Sequence, residues 1–448
     1  LQPAAATFLS FLILIIIGTI LLMLPISWVD GRPNSIAALF TATSAVCVTG
    51  LVVVDTGSAF TTFGQVIIMF LIQMGGIGYM TMATAVAILL GRKLGISQRL
   101  LLIESHGKPK LAGVLRLARN TLLFALLVEF VAAIILSIRF AYDPNIEGAK
   151  AIYFGVFHAV SGFCNAGFDL FGPIYGEFSS LSHYKNDITI NLTLSLIILI
   201  GTLGFPVIDE ILHREKKRFS LHTKMVFTAT AAILFAGTIL ILIIEWSNPY
   251  TIGRDRIGEK LLASFFQSAS RTAGFSTIDI AQVHAATLLI LGIMMFIGGS
   301  PGSVAGGIKT TTFIIIIMSV ISVVKGKTDT EIFGRRILQE NVSRALAIII
   351  LALVITVSAT IFLTLTEVKQ TGVKELAEFM SIDFEVLSAW GTVGYSTGIT
   401  RDISTQGNIL LIILMFIGRL GSLTVFAALV NREKPISRRL SEEDVILG

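Results

Sequence analysis

Apolar residues run almost unbroken through residues 7 to 29, 60 to 91, 112 to 140, 188 to 212, 222 to 246, 284 to 324, 345 to 366 and 407 to 430. Each run is long enough to cross a hydrocarbon core of about 30 Å, which takes roughly 20 helical residues. Between the first and second runs, the third and fourth, the fifth and sixth, and the seventh and eighth lies a shorter amphiphilic stretch that ends on a glycine. These stretches are too short to span. The pattern predicts an all-α membrane protein of eight spans, built as four tandem units of helix, re-entrant pore loop and helix in pseudo-fourfold arrangement around one pore. The units run from 1 to 91, 92 to 213, 214 to 324 and 325 to 431, and residues 432 to 448 form a tail.

The glycine motifs are in register. They read Val48, Thr49, Gly50, Leu51; Asn165, Ala166, Gly167, Phe168; Thr272, Ala273, Gly274, Phe275; and Thr392, Val393, Gly394, Tyr395. Each follows a helix-like stretch of small and aromatic residues, at 38 to 46, 152 to 163, 261 to 270 and 379 to 389. A second glycine falls near mid-span in each unit: Gly75, Gly201, Gly298 and Gly418, lying 25, 34, 24 and 24 residues after the first. The longer interval in the second unit reflects an added polar loop around residues 176 to 187.

The stretch Thr392 to Tyr395 is the kind of sequence that lines a K⁺ selectivity filter, where inward-facing backbone carbonyls replace the hydration shell of the ion. Glycine lets the strand turn those carbonyls toward an axis. The preceding half-helix would aim its negative C-terminal end at the ion. A loop that enters and leaves from one side must bury its irregular backbone in protein or line a watery cavity. The three residues ending in each of Gly50, Gly167, Gly274 and Gly394 are therefore the candidate ion ligands, through main-chain oxygen.

Composition strengthens the membrane assignment: 54% of residues are hydrophobic and 14% charged, against about 25% charged in ordinary soluble domains. The net charge of +5 sits in short clusters between apolar runs and marks topology, with no basic face for nucleic acid. Residues 92 to 119, 213 to 224, 325 to 344 and the tail from 431 hold 21 Lys and Arg, whereas the alternate connections hold 10. This places the first set, and both termini, in the cytoplasm. Residues 7 to 24 run on to Pro25 without a small-residue cleavage site and read as a span. The chain opens on Leu1, so a short native start is expected to precede it. Cys47 and Cys164 have neither a metal-type spacing nor the number for a disulfide framework.

Residues 284 to 324 as one helix would reach about 60 Å, twice the hydrocarbon thickness. Gly298, Gly299, Pro301, Gly302, Gly306 and Gly307, with the polar Ser300, Ser303 and Lys309, locate a break and suggest a mobile intramembrane loop below the filter. Arg419 is a costly charge at membrane depth, read as a cation barrier projecting into the pore, with an interhelical tie as the plainer reading. Glu129 is read as structurally paired; Asp209 and Glu210 lie near a cytoplasmic end; His158 has no ligand spacing around it. The stretch Gly302 to Thr310 only mimics a phosphate-binding loop, and no dinucleotide fingerprint follows a strand.

The four glycine motifs, Gly298 to Gly302 with Gly306 to Lys309, and Met415 to Arg419 together resemble the membrane, ion-translocating subunit of the bacterial Ktr K⁺ transporters, within the Ktr, Trk and plant HKT superfamily. The resemblance covers essentially the whole chain. It implies K⁺ transport with Na⁺ as a candidate activator, no organic cofactor in this chain, and a gating role for the loop at 298 to 309. It also implies a homodimer docked on a cytosolic ring of regulatory subunits that bind ATP or ADP. The basic loops are candidate contacts for such a ring, and equally for lipid headgroups. The rival reading is an alternating-access secondary transporter built on broken helices. An intramembrane enzyme would need a nucleophile, base or metal constellation that the sequence lacks.

Overall fold

The structure, a computed structural model, describes residues 3–78, 114–212, 218–368 and 373–421. The basic segment at 92 to 113, the tail from 432, and the expected continuations of the second and eighth spans lie outside the described residues.

The helices are α1 (Pro3–Leu22), α2 (Ser35–Val46), α3 (Thr62–Ile77), α4 (Val114–Ala141), α5 (Ala149–Phe163), α6 (Ile188–Leu203), α7 (Phe205–Leu212), α8 (Leu221–Glu245), α9 (Ile257–Ala269), α10 (Ala285–Phe296), α11 (Thr310–Val324), α12 (Gln339–Glu367), α13 (Val373–Gly391) and α14 (Thr405–Leu420). Polar caps start several of them: Asn34 accepts from the amides of Ile36 and Ala37, and Asp187 from that of Ile190. Among the described residues, Arg119–Ala141, Leu221–Glu245 and Gln339–Glu367 are helices long and apolar enough to cross a membrane unaided. Their outer faces leave Leu127, Phe130, Ile243, Val354 and Ile361 exposed, a distribution suited to hydrocarbon and not to water.

The short helices lie inside. Nine residues of α2 are buried, from Ala37 to Val46, and α5, α9 and α13 are mostly buried in the turns that lead into their glycine motifs, with Ile152, Ile257 and Leu376 exposed nearer their starts. They start three to six residues earlier than the amphiphilic pattern suggests and end within two residues of the expected points. In the packing, α1, α2 and α3 touch one another, as do α4, α5 and α6; α8 touches both α9 and α10; and α12, α13 and α14 touch one another. Across these groups α3 packs on α5, α6 on α9, α10 on α13, and α14 on α2, so the contacts return to their start.

Two expectations need correction. The fourth run does not pass straight through: α6 and α7 meet at 97° about Gly204, whose φ is +90°. A side chain there would lie 2.6 Å from the Pro301 carbonyl, so only glycine suits both the turn and the neighbour. The α3 and α14 helices also stop at left-handed glycines, Gly78 and Gly421. Each of these glycines stands three residues after a mid-span glycine, a spacing present in the sequence itself. The second correction is small: the all-α expectation has an exception among the described residues, in the segment between α11 and α12. That segment holds a hairpin of β1 (Glu331–Ile332) and β2 (Arg335–Arg336), closed at Phe333 and Gly334, both at positive φ. Its charges are partly matched, with Lys327 paired to Glu331 and Arg336 to Asp329.

Candidate functional site

The four glycine motifs meet. A Cβ on Gly50 would lie 2.3 Å from the carbonyl oxygen of Ala166, one on Gly167 2.2 Å from that of Ala273, one on Gly274 2.2 Å from that of Val393, and one on Gly394 2.2 Å from that of Thr49. Each carbonyl belongs to the residue before the next glycine, so the contacts form a closed ring of main chain. All four glycines have φ between +72° and +100°. Two residues earlier, Val48, Asn165 and Thr392 also take positive φ, at 52°, 57° and 49°. Such conformations are costly for β-branched side chains and persist only where surrounding structure fixes them. The third strand differs: Thr272 belongs to a 3₁₀ turn, and the Gly274 amide donates to Ser270 O at 2.9 Å.

A serine stands six residues before every ring glycine: Ser44, Ser161, Ser268 and Ser388. The amides of Gly50 and Gly394 each donate to the serine hydroxyl at 3.0 Å, and Ser161 donates to Phe168 O at 2.8 Å. Ser268 turns away to Leu234 O. This recurrence is a signal present in the sequence itself. The mid-span glycines also acquire a reason. A Cβ on Gly75, Gly201 or Gly418 would sit 1.9, 2.2 or 1.9 Å from the carbonyl of Val46, Phe163 or Trp390, in each case the fourth residue before a ring glycine. They let α3, α6 and α14 press against the ends of α2, α5 and α13. Gly298 breaks the series, because its place is 1.8 Å from Gly306 O.

Below the ring, residues 297 to 309 form the irregular connection expected between α10 and α11. Ile297 and Ile308 pair in parallel, Gly298 N donates to Ile308 O and Thr310 N to Gly299 O. The loop rests on the α6–α7 break: Ser300 N donates to Thr202 O, Val304 N to Gly201 O, and Phe205 N to Gly302 O. A Cβ on Gly306 would lie 2.2 Å from Thr392 Oγ1, so the loop touches the fourth ring strand. Lys309 Nζ donates to Ala305 O at 2.7 Å. Arg419 donates to the carbonyls of Val304, Gly75 and Gly76, joining α14 to the loop and to α3. Its guanidinium therefore sits among carbonyls, which fits the interhelical tie as directly as it fits a barrier. Pro301, Gly302 and Ser303 are partly exposed at the turn of the loop.

Other polar groups crowd the same level. The Asn165 amide lies 2.8 Å from Thr202 Oγ1 and 3.0 Å from Thr272 Oγ1, tying two ring strands to α6. Arg271, counted above with the outward connections, is in fact 4% exposed, and it donates to Met294 O and Ile297 O. Those carbonyls are freed because α10 ends there. On the face of the ring away from the loop a cavity of about 590 Å³ opens over all four ring glycines, with Asp169, Glu177, Asp279 and Arg401 on its walls. Glu129 accepts from Gln73 Nε2 at 3.0 and 2.9 Å, and His158 stacks on Phe171 with its Nδ1 against Phe154 O. Among the described residues no cluster of three or more His, Cys, Asp and Glu is placed to hold a metal ion.

The chain matches the TrkH cation transport protein family over residues 5–435. It is 41% identical to the Ktr system potassium uptake protein B of Bacillus subtilis over 96% of this chain and 94% of that one. It is 40% identical to the potassium/sodium uptake protein NtpJ of Enterococcus hirae over 100% of this chain and 98% of the relative. The crystal structure of the potassium transporter TrkH from Vibrio parahaemolyticus superposes with a TM-score of 0.71 at 19% identity, covering 94% of this chain and 84% of that one.

Proposed function

The chain belongs to the TrkH family of cation transport proteins, and from that premise we propose that it takes up K⁺ across the cell membrane through the ring at Gly50, Gly167, Gly274 and Gly394. The observation that carries this reading is the cyclic return of the contacts, from Gly50 through Gly167 and Gly274 to Gly394 and back to Thr49. A monovalent cation stripped of water needs oxygens on all sides, and four strands with outwardly unhindered glycines can supply them.

In this reading the four units surround one pore in pseudo-fourfold fashion with eight spans, and both termini lie in the cytoplasm. Residues 298 to 309 act as the gate, held by Lys309 and Arg419. Two relatives are named for potassium uptake and one of them also for sodium, which supports K⁺ as cargo with Na⁺ as a candidate activator. A homodimer docked on a cytosolic nucleotide-binding ring completes the scheme, and the hairpin at Glu331 to Arg336 joins the basic segments that such a ring would meet.

Alternating access is favoured by one observation, the pair of broken spans at Gly204 and at 297 to 309. Against it, each inner helix packs on the next pore helix around a circle, with no division into two rocking halves. Purified protein in liposomes, given K⁺, Rb⁺ and Na⁺ gradients, tests the proposal when each ring glycine is replaced by Ser in turn. Loss of K⁺ preference at every position supports it; unchanged preference at all four ends it.

A further inference from the structure

Glu385 lies on α13, nine residues before Gly394, and its side chain is 0% exposed. The carboxylate faces the chain leaving the ring. One oxygen accepts from the Ser396 hydroxyl and from Thr397 N at 3.2 Å, and the other accepts from the Thr400 hydroxyl at 3.0 Å. The Ser396 and Thr400 hydroxyls are 3.0 Å apart, and Ser396 Oγ also accepts from Gly398 N at 2.8 Å. A carboxylate withdrawn from water is tolerated only when hydrogen bonds replace its hydration, so these donors and the acid fix one another.

Among the described residues, in no other strand does a carboxylate of the preceding helix play this part; the third strand is held by an amide, with the Gln267 side chain on α9 lying 2.7 Å from Ser276 Oγ, two residues past Gly274. Nine residues before the glycines of the first three strands stand Thr41, His158 and Phe265. Thr41 Oγ1 and His158 Nε2 are buried without a partner, and the His158 ring stacks on Phe171 at 4.5 Å. The fourth strand is also held one residue past its glycine. The Tyr395 hydroxyl donates to Gln267 O at 3.0 Å and lies 2.6 Å from the Gln267 side-chain amide, on the third pore helix. Both fixtures follow Gly394 directly, and its own amide donates to Ser388 Oγ at 3.0 Å, so the glycine is held from behind and ahead. Its neighbours are held with it, because Gly394 abuts Thr49 O and Val393 O abuts Gly274.

We propose that Glu385 is a positioning residue for ion discrimination: by clamping Ser396, Thr397 and Thr400 to the fourth pore helix it fixes the carbonyl positions of the fourth strand, and through ring contact those of the first and third. The inference rests on reading the ring as the ion filter. Removing the outer partners that orient metal ligands typically costs about 10–100-fold in affinity or activity, and ion discrimination by carbonyls is sensitive to cavity size or field strength.

The test is K⁺, Rb⁺ and Na⁺ competition in liposomes with the full chain and five variants: E385A, E385Q, the pair S396A/T400V, Gly394→Ser as the reference for a broken ring, and E245A as a control. Glu245 is equally buried and accepts from His284 N at 2.8 Å and Asn248 Nδ2 at 2.7 Å, at the outer end of α8. E385A and S396A/T400V are expected to lower K⁺ preference over Na⁺ by about tenfold. E385Q, which keeps an acceptor for Ser396 and Thr397, should retain most of it, and E245A should lose thermal stability alone. Should E385A fail to fold, the paired variant decides, since it leaves the carboxylate in place. Unchanged preference in the E385A and paired variants, where Gly394→Ser abolishes it, overturns the proposal and leaves the filter standing; equal loss in E245A also overturns it. If Gly394→Ser too leaves preference unchanged, the ring reading and this one fall together.

Discussion

The glycine ring and the loop beneath it touch at Gly306 and Thr392, yet they are secured in different ways. The ring is main chain against main chain: four glycines abut four carbonyls, with serine hydroxyls and pore-helix ends behind them. Nothing in it can yield without moving a neighbouring strand. The loop is suspended from its surroundings by a short set of bonds, chiefly to the break between α6 and α7 and to Arg419, while Lys309 bonds back to Ala305 within it. A segment with few, separable attachments opens at lower free energy than one locked by contiguous packing. Both regions are rich in glycine, but in the ring glycine creates fit, and in the loop it permits the chain to leave the helix.

That contrast can be broken most severely at the ring. Gly274→Ala or Gly394→Ser places a side chain about 2 Å from a carbonyl, and K⁺ over Na⁺ preference should fall by roughly tenfold or more, about 1.4 kcal/mol, read as Rb⁺ uptake under Na⁺ competition. A preference that survives both changes means that the ring is not where ions are told apart. The loop should respond in the opposite sense. Shortening residues 299 to 309 removes the obstacle and should raise uptake on the order of tenfold, or uncouple it from regulation, while leaving preference intact. Flux into vesicles that does not change would deny the loop a gating role.

Arg419→Ala sharpens the comparison at a single contact. It removes charged donors to Val304, Gly75 and Gly76 carbonyls, each bond of that kind contributing about 1.5–3 kcal/mol. Conductance or rectification should shift, by less than in the loop deletion, with Arg419→Lys intermediate because an ammonium lacks the fork that reaches both helices. Identical current–voltage curves for the three proteins would remove Arg419 from the pathway.

The smallest effect is expected far from both regions. Asp143, in the outer connection after α4, accepts from the hydroxyls of Tyr175 and Tyr184. Burial alone would raise its carboxyl, but those phenols, the Asn145 amide and the charge of His183 outweigh burial and hold it below the usual range. A carboxylate depressed on folding stabilises above its unfolded value of about 3.9 and loses that contribution as pH falls through the lower, folded value. Thermal melts should therefore show an acid-side decline for the native chain that is shallower in Asp143→Asn, with Tm at neutral pH lowered by about 2–4 °C. Ion preference should stay the same; a shift in it would mean that the outer connection reaches the ring.

Much of this was legible along the chain. The apolar runs, the ring glycines and the break in the sixth run are local properties, set by hydropathy and by which residues can leave a helix. The serine six residues before each ring glycine and the second break at Gly204 were equally present in the letters, as spacings that acquire meaning only beside the glycines they serve. Arg271 and Glu385 were not legible in that way. A charge near a pore loop looks like a solvated one until the packing shows what surrounds it.

By itself the sequence decided that this chain lives in hydrocarbon, that it repeats a helix, a short turn-ending helix and a helix, and where the main chain must do what a side chain cannot. Only the tertiary structure decided that Gly394 closes on Thr49, that the loop hangs from α6, and that Arg419 reaches Gly75, 344 positions away. The reason is physical: periodicity and backbone freedom act over one or two turns of chain, whereas the choice of hydrogen-bond partner for a buried group is made by whichever carbonyl the fold brings within 3 Å of it.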